Sequence, residues 1–272
     1  MPASEAAART PAVGREAAAI EAAVRAAGRL ALDASQATSR NWRKPDGTPV
    51  SDADLAVNQL LEEKLRNAFP DYGWLSEETV DGPERLERER IWIIDPIDGT
   101  SAFLAGDEGW CIAVALVEGA RPVAAGILKP ASGEYFAAER GAGARLNGRP
   151  IHASRRTRLE GASLVVKPRV LKLDIWEKPW PPVRTAMTAS IALRLCAVAC
   201  GKEDATFGLG LKSDWDLAAG DLIVHEAGGR VSDLDGATLR FNRPETRQNG
   251  FLASGAKLFE ELKAQAGAHS RS

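Results

Sequence analysis

The chain has 272 residues, a formal net charge of −2 and 44% apolar residues. This composition supports a sizeable buried core, but it offers no basic surface for nucleic acid and no polybasic patch for a membrane. The three cysteines are not spaced like the ligands of a metal site, so we expect them to be reduced thiols. Because the chain shows neither a signal peptide nor an apolar run approaching the roughly 18 residues of a membrane span, we expect a cytoplasmic enzyme.

The first half of the chain predicts two helices followed by several strands. The helices are indicated by apolar residues at helical spacing, and the strands by runs of β-prone residues. The predicted elements are, in order, a helix over 16–32, a loop or hairpin over 40–49, a helix from Ser51 or Asp52 to about 69, a turn over 70–73, strands over 74–79 and 91–94 flanking a charged, solvated connection over 83–90, and strands over 110–117, 123–128, 134–138 and 144–150. This order indicates an α+β arrangement with an antiparallel meander.

The second half alternates strands and helices. Its predicted elements are a strand over 163–166, an irregular stretch over 169–182, a helix over 190–200, a strand over 205–209, a helix over 216–226, a strand over 250–254 and a helix over 257–263. The change in texture predicts an α+β domain over 1–152 and an α/β domain over 153–272. The segment 167–182, which contains Trp176 and Trp180, is expected either to cap a site or to form a dimer surface.

The apolar strand over 91–94 leads directly into the sequence Asp-Pro-Ile-Asp-Gly-Thr at 95–100. A buried strand has no favourable way to carry two acids at its end unless a cation meets them. Pro96 is expected to prevent ordinary continuation of the strand and Gly99 to permit a tight backbone, so that both carboxylates converge on one point. A turn with solvated acids is the alternative interpretation of this stretch.

Two further acids come from distant segments. Glu77 ends a predicted strand and Asp216 opens a predicted helix. Together with Asp95 and Asp98 they supply the oxygen ligands that a hard divalent cation such as Mg²⁺ prefers. The three histidines are too scattered to predict an imidazole metal site, and neither a Ser-His-Asp arrangement nor a Walker loop is present. Taken singly, Glu77 and Asp216 are more simply surface acids or helix caps.

Four separated motifs occur in a recognisable order. They are Val-Ser-Asp-Ala-Asp at 50–54, Ser-Glu-Glu at 76–78, Asp-Pro-Ile-Asp-Gly-Thr at 95–100, and Trp-Asp-Leu-Ala-Ala-Gly at 215–220 followed by Glu-Ala-Gly-Gly at 226–229. In this order they resemble the inositol monophosphatase superfamily of Mg²⁺-dependent, lithium-sensitive phosphomonoesterases. The resemblance covers nearly the whole chain. It implies a fold that joins α+β and α/β parts in a layered αβαβα sandwich of the sugar-phosphatase, fructose-1,6-bisphosphatase-like type.

The resemblance also implies roles for individual residues. The implied ligands for roughly two to three Mg²⁺ ions are Glu77, Asp95, the carbonyl of Ile97, Asp98 and Asp216. The implied catalytic residues, which orient and deprotonate the attacking water, are Asp54, Glu77 and Thr100. The implied substrate-binding residues are Asp98, Gly99, Thr100, Ser190, Leu209 and Asp216. In this interpretation Gly99 and Thr100 offer backbone N–H groups to phosphate at the start of a short helix.

The substrate is predicted from weaker similarities. Inositol and histidinol phosphatases of the superfamily place a Glu six residues before the motif tryptophan, where this chain has Leu209. An apolar residue there suits a base or a sugar edge better than a polyol. Residues 232–242 and 193–194 resemble segments of the CysQ-like 3'(2'),5'-bisphosphate nucleotidases, although Phe241 is equally compatible with core packing. We therefore expect hydrolysis of the 3'-phosphate of adenosine 3',5'-bisphosphate, a by-product of sulfate assimilation.

Alternatives stay open at this point. The first is an inositol-1-monophosphatase or another phosphatase of small sugar, polyol or histidinol phosphates. The second is a noncatalytic regulatory protein that binds RNA polymerase or another protein, against which the complete set of site acids argues. A phosphorylated small molecule is the expected partner, a homodimer is plausible from the resemblance, and neither nucleic-acid binding nor membrane insertion is expected. A peripheral association with the inner membrane is left open. Ala189 stands where the family commonly has Gly.

Overall fold

The computed structural model describes residues 14–36, 41–45, 47 and 49–267. Within these residues the helices are α1 (Gly14–Gln36), α2 (Asp52–Ala68), α3 (Thr100–Leu104), α4 (Ile191–Ala199), α5 (Asp214–Glu226) and α6 (Phe259–Ala266). The strands are β1 (Asn41–Arg43), β2 (Pro49–Ser51), β3 (Gly73–Ser76), β4 (Arg90–Asp98), β5 (Cys111–Glu118), β6 (Arg121–Lys129), β7 (Glu134–Glu139), β8 (Gly143–Leu146), β9 (Arg149–Pro150), β10 (Ser163–Val165), β11 (Arg184–Ala186), β12 (Ala205–Ser213), β13 (Gly229–Ser232) and β14 (Arg247–Gly255). Short 3₁₀ helices lie at Pro83–Glu87 and Pro168–Lys172.

The strands form two large sheets and one hairpin. The hairpin pairs β1 with β2. The seven-stranded sheet runs from β3 to β9 in sequence order, with β3 parallel to β4 and every other pair antiparallel, which confirms the predicted meander. The five-stranded sheet has the order β11-β10-β12-β14-β13 and is mixed, because β10 is parallel to both its neighbours while β14 is antiparallel to both of its own.

The helices lie in three layers around the two sheets. Alternate side chains of β4 show this, since Trp92 and Ile94 pack with α1 and α2 whereas Ile91 and Ile93 pack with α4 and α5. The same inner cluster includes Phe251 of the five-stranded sheet, so α4 and α5 lie between the sheets. Helix α6 covers the outer face of the five-stranded sheet. The predicted layered αβαβα sandwich is confirmed, while the domain division at residues 152 and 153 stays a prediction.

Strand β4 continues to Asp98 and does not end at Ile94. The register between β4 and β5 shifts between Asp95 and Asp98, which marks a β-bulge. Pro96 lies inside this bulge, where the regular hydrogen-bond ladder is interrupted and its missing N–H is tolerated. The strand thus does not continue in regular form at Pro96, as predicted, but the predicted bounds 91–94 are too short, because the two acids lie on the strand itself.

The charged connection over 83–90 is not fully solvated. Arg85 is buried, and its Nε lies 2.6 Å from Asp81 Oδ1. The same guanidinium donates from Nη1 to Asn242 Oδ1 at 2.7 Å and from Nη2 to the Arg243 carbonyl at 2.9 Å. One arginine thus ties the connection to a segment more than 150 positions away in sequence. Its neighbours in sequence gave no sign of this role, because long charged side chains are usually exposed.

The tryptophan-containing stretch packs against the five-stranded sheet. Trp180 stacks on Phe207 with ring centroids 5.1 Å apart, and Trp176 meets Phe207 edge-on at 5.7 Å. Trp176 Nε1 also donates to the Val170 carbonyl at 2.9 Å. These contacts hold the 3₁₀ helix at 168–172 and the tryptophans beside β12.

In the part of the chain that the structure describes, no helix is both long and apolar enough to cross a membrane.

Candidate metal centre

Three carboxylates from two elements converge between the sheets. Asp95 and Asp98 lie on the bulged end of β4, and Asp216 lies in the first turn of α5. One oxygen from each acid lies within 4.8 Å of the other two. Residues three apart on a regular strand point to opposite faces, but the extra residue of the bulge places Asp95 and Asp98 on the same face. The predicted convergence is therefore present, and the bulge produces it.

Asp98 is held by the beginning of α4. Ser190 Oγ donates to Asp98 Oδ2 at 2.7 Å, and the N–H groups of Ile191 and Ala192 donate to the same carboxylate at 3.2 and 2.6 Å. Ser190 also caps the helix by accepting from the N–H of Leu193 at 2.9 Å. Ser190 is fully buried. The structure therefore places its hydroxyl against Asp98, and its predicted contact with a substrate stays a prediction.

Asp54 and Asp216 occupy equivalent places in two capping boxes. Asp54 Oδ2 accepts from the N–H of Ser51 at 2.8 Å, and Asp216 Oδ2 accepts from the N–H of Ser213 at 2.9 Å. Each carboxylate is thus oriented by the first turn of its own helix. The second oxygen of Asp54 accepts from Thr100 Oγ1 at 3.3 Å. The structure therefore brings together the predicted pair Asp54 and Thr100.

The backbone turns sharply between the acids and α3. Gly99 caps α3 with φ at 99°, and a Cβ added there would lie 2.9 Å from the Gly109 carbonyl oxygen. Only glycine meets both conditions. The turn places Thr100 Oγ1 at 3.1 Å from the carbonyl oxygen of Ile97, the predicted backbone ligand. Thr100 is buried, and its hydroxyl contacts both the Ile97 carbonyl and the Asp54 carboxylate.

Glu77 lies beside this group but outside it. Its carboxylate pairs with Lys44 Nζ at 3.0 Å, and the same amine lies 2.7 Å from Glu78 Oε1. Among the described residues, Glu77 makes no hydrogen bond to Thr100, although the two were predicted to act together. Lys44 was missed as a site residue, because a cation in a loop rich in Pro and Gly has no distinguishing local pattern. Its role follows from the tertiary contact that brings its amine to Glu77 and Glu78, more than 30 positions away in sequence.

Burial and mutual repulsion raise the pKa values of the site acids. Burial raises the pKa of Asp95 well above its ordinary value, and the nearby charges of Glu77 and Asp98 add to it. Burial raises the pKa of Glu77 to about 7, with Lys44 opposing the rise. Burial followed by repulsion from Asp98 raises the pKa of Asp216 to about 7. The pKa of Asp54 is also raised by burial. The site therefore favours protons or cations over free carboxylates.

The donor set fits a divalent cation. Asp95 Oδ1 is buried and has no hydrogen-bond partner in the described part of the chain. A buried carboxylate oxygen without a donor is unfavourable unless a cation compensates it. Carboxylates together with a backbone carbonyl are the ligands preferred by Mg²⁺, whereas zinc favours nitrogen and sulfur. The residues around Asp95 thus suit a hard metal ion.

A cavity of about 480 Å³ adjoins the acids. Ala189 and Ile191, which flank Ser190, form the part of its wall nearest Asp98. Leu209, predicted to contact substrate, also lines the cavity. Residues 166–173 form much of the rest of the cavity wall. Part of the segment 167–182, which was expected either to cap a site or to form a dimer surface, therefore borders the cavity. Phe241 does not line it, because its side chain is fully buried in the core between the sheets.

Comparisons with known proteins agree on one family. The model of the inositol monophosphatase family matches residues 13–270. The chain is 42% identical to the Nus factor SuhB of Xylella fastidiosa over 69% of its length and 70% of that protein. It is 32% identical to the inositol-1-monophosphatase of Mesorhizobium japonicum over 91% and 93% of the two chains. A solved structure of the Thermotoga maritima IMPase superposes with a TM-score of 0.78 at 27% identity, covering 92% of this chain and 95% of that one.

Proposed function

Because the chain belongs to the inositol monophosphatase family, we propose that it is a Mg²⁺-dependent phosphomonoesterase acting on a phosphorylated small molecule. The observation that carries the proposal is the convergence of Asp95, Asp98 and Asp216 within 4.8 Å, with Asp95 Oδ1 left unpaired. Such a concentration of buried negative charge is unfavourable by itself. It becomes favourable around cations that also attract a phosphate.

The site residues would have three roles in the proposed reaction: metal binding, orientation of the attacking water and phosphate binding. The ligands for roughly two to three Mg²⁺ ions would be Glu77, Asp95, the Ile97 carbonyl, Asp98 and Asp216. When bound, Mg²⁺ withdraws charge from the phosphoryl oxygens and makes a water molecule more acidic. Asp54 and Thr100, joined by the 3.3 Å contact, would orient that water and receive its proton. The N–H groups of Gly99 and Thr100 would bind the phosphate.

The test is phosphate release by the purified protein with and without Mg²⁺. We expect hydrolysis of at least one phosphate monoester that rises with Mg²⁺ concentration, disappears on chelation and is inhibited by lithium. Failure to hydrolyse any member of a broad panel of nucleotide, sugar, inositol and amino-alcohol phosphates at saturating Mg²⁺ would contradict the proposal.

For the substrate we propose adenosine 3',5'-bisphosphate, cleaved at its 3'-phosphate. Leu209, half-buried on the cavity wall, supports this choice, since it offers an apolar surface to a base. The similarity around Phe241 gives no support, because that residue packs in the core. The relative named inositol-1-monophosphatase keeps inositol phosphates as the alternative. Higher kcat/KM for inositol 1-phosphate, histidinol phosphate or fructose 1,6-bisphosphate would overturn the nucleotide assignment.

Phe241→Leu separates core packing from substrate recognition. We expect the free energy of unfolding to fall by about 1 to 2 kcal/mol, because apolar volume is lost from a fully buried position. The ratio of kcat/KM for adenosine 3',5'-bisphosphate to that for inositol 1-phosphate is expected to stay unchanged. Urea unfolding and steady-state kinetics measure the two quantities. A shift of that ratio by tenfold would show that Phe241 reaches the substrate after all.

Thr100→Val tests the link between Asp54 and the reacting water. Valine fills nearly the same volume but cannot donate to Asp54 or to the Ile97 carbonyl. We expect kcat to fall about a hundredfold, within the usual range for general acid-base groups. Thr100→Ser keeps the hydroxyl and is the matched control, with at least a tenth of the wild-type kcat expected. Equal losses in both variants would mean that packing, and not the hydroxyl, matters.

A regulatory binding role is the second candidate. The relative from Xylella fastidiosa carries the name Nus factor SuhB, which keeps open a role in binding another macromolecule. Asp95→Asn distinguishes the two candidates in cells that depend on the gene. Loss of the cellular function together with phosphatase activity supports the enzyme, whereas a function that persists in the inactive variant supports the binding role.

A further inference from the structure

Four cationic side chains line the cavity beside the acids. Lys167 and Arg169 follow β10, Arg194 lies on α4 and Lys212 lies on β12. Throughout the described residues, none of the four has a carboxylate oxygen within 4 Å of its charged nitrogens; Arg194 and Lys212 are partly buried, whereas Lys167 and Arg169 are exposed. A cavity that gathers unpaired cations from separate elements is suited to an anion.

The two inner cations are fixed in place by neutral groups. Lys212 Nζ donates to the carbonyl of Leu209 at 2.9 Å and to that of Leu211 at 3.0 Å. Arg194 Nε donates to the carbonyl of Thr188 at 3.2 Å. Both side chains are partly buried. Carbonyl oxygens orient these cations without neutralising them, so their charge stays available to a ligand.

The cations are close enough to repel one another. Burial lowers the pKa of Lys212, and the charges of Arg194 and Lys167 lower it further, while Asp216 alone opposes them. Burial also lowers the pKa of Arg194, while the charge of Asp98 opposes that shift. Like charges held together in a partly buried cavity are unfavourable unless a ligand compensates them. This electrostatic pattern is the opposite of that at Asp95, although the two regions are neighbours.

The cavity and the metal centre share one wall. Ile191 lines the cavity, and its N–H donates to Asp98 Oδ1 at 3.2 Å. Arg194 is on the same helix, and its charge acts on Asp98. A substrate whose phosphate lies over the acids would therefore extend its remaining atoms into the cavity. The apolar side chain of Leu209 would contact the body of the substrate between the two charged regions.

We propose that the cavity lined by Lys167, Arg169, Arg194 and Lys212 binds a second phosphate of the substrate, so that the enzyme selects bisphosphates over esters with a single phosphate. This inference rests on the proposed phosphatase function. A guanidinium and ammonium groups match a phosphate dianion in charge and in hydrogen-bonding capacity. A neutral polyol would leave the same cations without a partner.

The test compares substrates that differ only by the second phosphate. The pairs are adenosine 3',5'-bisphosphate with adenosine 3'-monophosphate, and fructose 1,6-bisphosphate with fructose 1-phosphate. We expect kcat/KM to be at least about tenfold higher for the bisphosphate of each pair, the factor given by one charge-assisted contact. The factor is expected to shrink as NaCl is raised from low to high concentration, because salt screens the cations.

Variants of the two outer cations locate the effect. Lys167 and Arg169 are exposed, so the double variant Lys167→Met/Arg169→Met should fold normally. It is expected to reduce the bisphosphate preference at least about fivefold, because it removes two of the four charges. Lys172→Met is the matched control, since Lys172 is exposed on the same 3₁₀ helix but does not line the cavity. The control is expected to keep the wild-type preference.

The outcomes separate the two proposals. Equal kcat/KM within both substrate pairs, or equal losses on both members in the double variant, would overturn the second-phosphate site while leaving the phosphatase intact. If no ester is hydrolysed, the proposed function fails. Calorimetric measurement of the binding of the two adenosine nucleotides then tests whether the cavity binds a second phosphate. Tighter binding of the bisphosphate that weakens in the double variant supports the site, and equal binding overturns it.

Discussion

Asp95→Asn is expected to lower Mg²⁺-dependent hydrolysis of a phosphate monoester roughly a thousandfold, the effect of losing several kcal/mol of charge stabilisation. Asp95 is fully buried near four other acids, and its Oδ1 has no partner within the described chain. Asparagine keeps the shape of the side chain but removes the charge and one acceptor. The measurement is kcat at saturating substrate over a wide range of Mg²⁺ concentrations.

Two comparisons show that this loss comes from the site and not from unfolding. The metal-free variant is expected to be more stable than the wild type, because repulsion among buried acids is relieved. Asp71→Asn removes the same charge from an exposed turn and is expected to leave both activity and stability unchanged. Activity of Asp95→Asn within tenfold of the wild type would show that Asp95 does not hold the metal.

The metal-free protein is expected to lose stability as pH rises from about 4 to 7. The pKa values of Glu77 and Asp216 are raised to about 7 by burial, whereas in the unfolded chain both groups titrate near pH 4. Between these values the folded state binds more protons than the unfolded state, so the free energy of unfolding falls with pH. The expected loss is on the order of a few kcal/mol, measured by urea unfolding with a chelator present.

Mg²⁺ should cancel only the part of this loss that arises at the metal centre. Asp214 and Asp216 lie in the same turn of α5, and burial raises the pKa of both to about 7. Asp214, however, accepts from Gln248 Nε2 at 2.7 Å and lies outside the acid group. Asp216→Asn should therefore weaken the stabilisation by Mg²⁺, and Asp214→Asn should leave it intact. Metal-free stability that rises over this pH range would contradict the pKa assignment.

The order of elements was predictable because it depends on local patterns. Continuous apolar runs gave β4, β5 and β6, and helical spacing gave α1 and α2, all of which the structure confirms. The convergence of Asp95 and Asp98 was also predicted, but the bulge that produces it was not. The sequence near Pro96 indicates a break in regular structure, whereas the bulge is defined by pairing with β5, which lies in a later segment.

The electrostatic surroundings of the site were not predictable in the same way. Ser190 was expected at the substrate, yet its hydroxyl is bonded to Asp98, 92 positions away. Lys44 and Arg194 have ordinary neighbours in sequence, and their roles arise from elements that meet only in the folded chain. Local patterns identify the acids, because their motifs are compact. Local patterns do not identify the cations, because tertiary packing decides whether a cation has a carboxylate partner.

The hydrogen bonds between Asp98 and the beginning of α4 have a consequence for the folding pathway. They connect β4 to a helix that follows almost a hundred residues later, and contacts of such separation form late because the loop-closure entropy is high. The seven-stranded meander, built from neighbouring hairpins, can assemble before them. Mg²⁺ affinity should therefore recover during refolding together with the last cooperative phase. Because Mg²⁺ would bind only the native state, in which Asp98 is bonded to α4, it would stabilise that state by mass action.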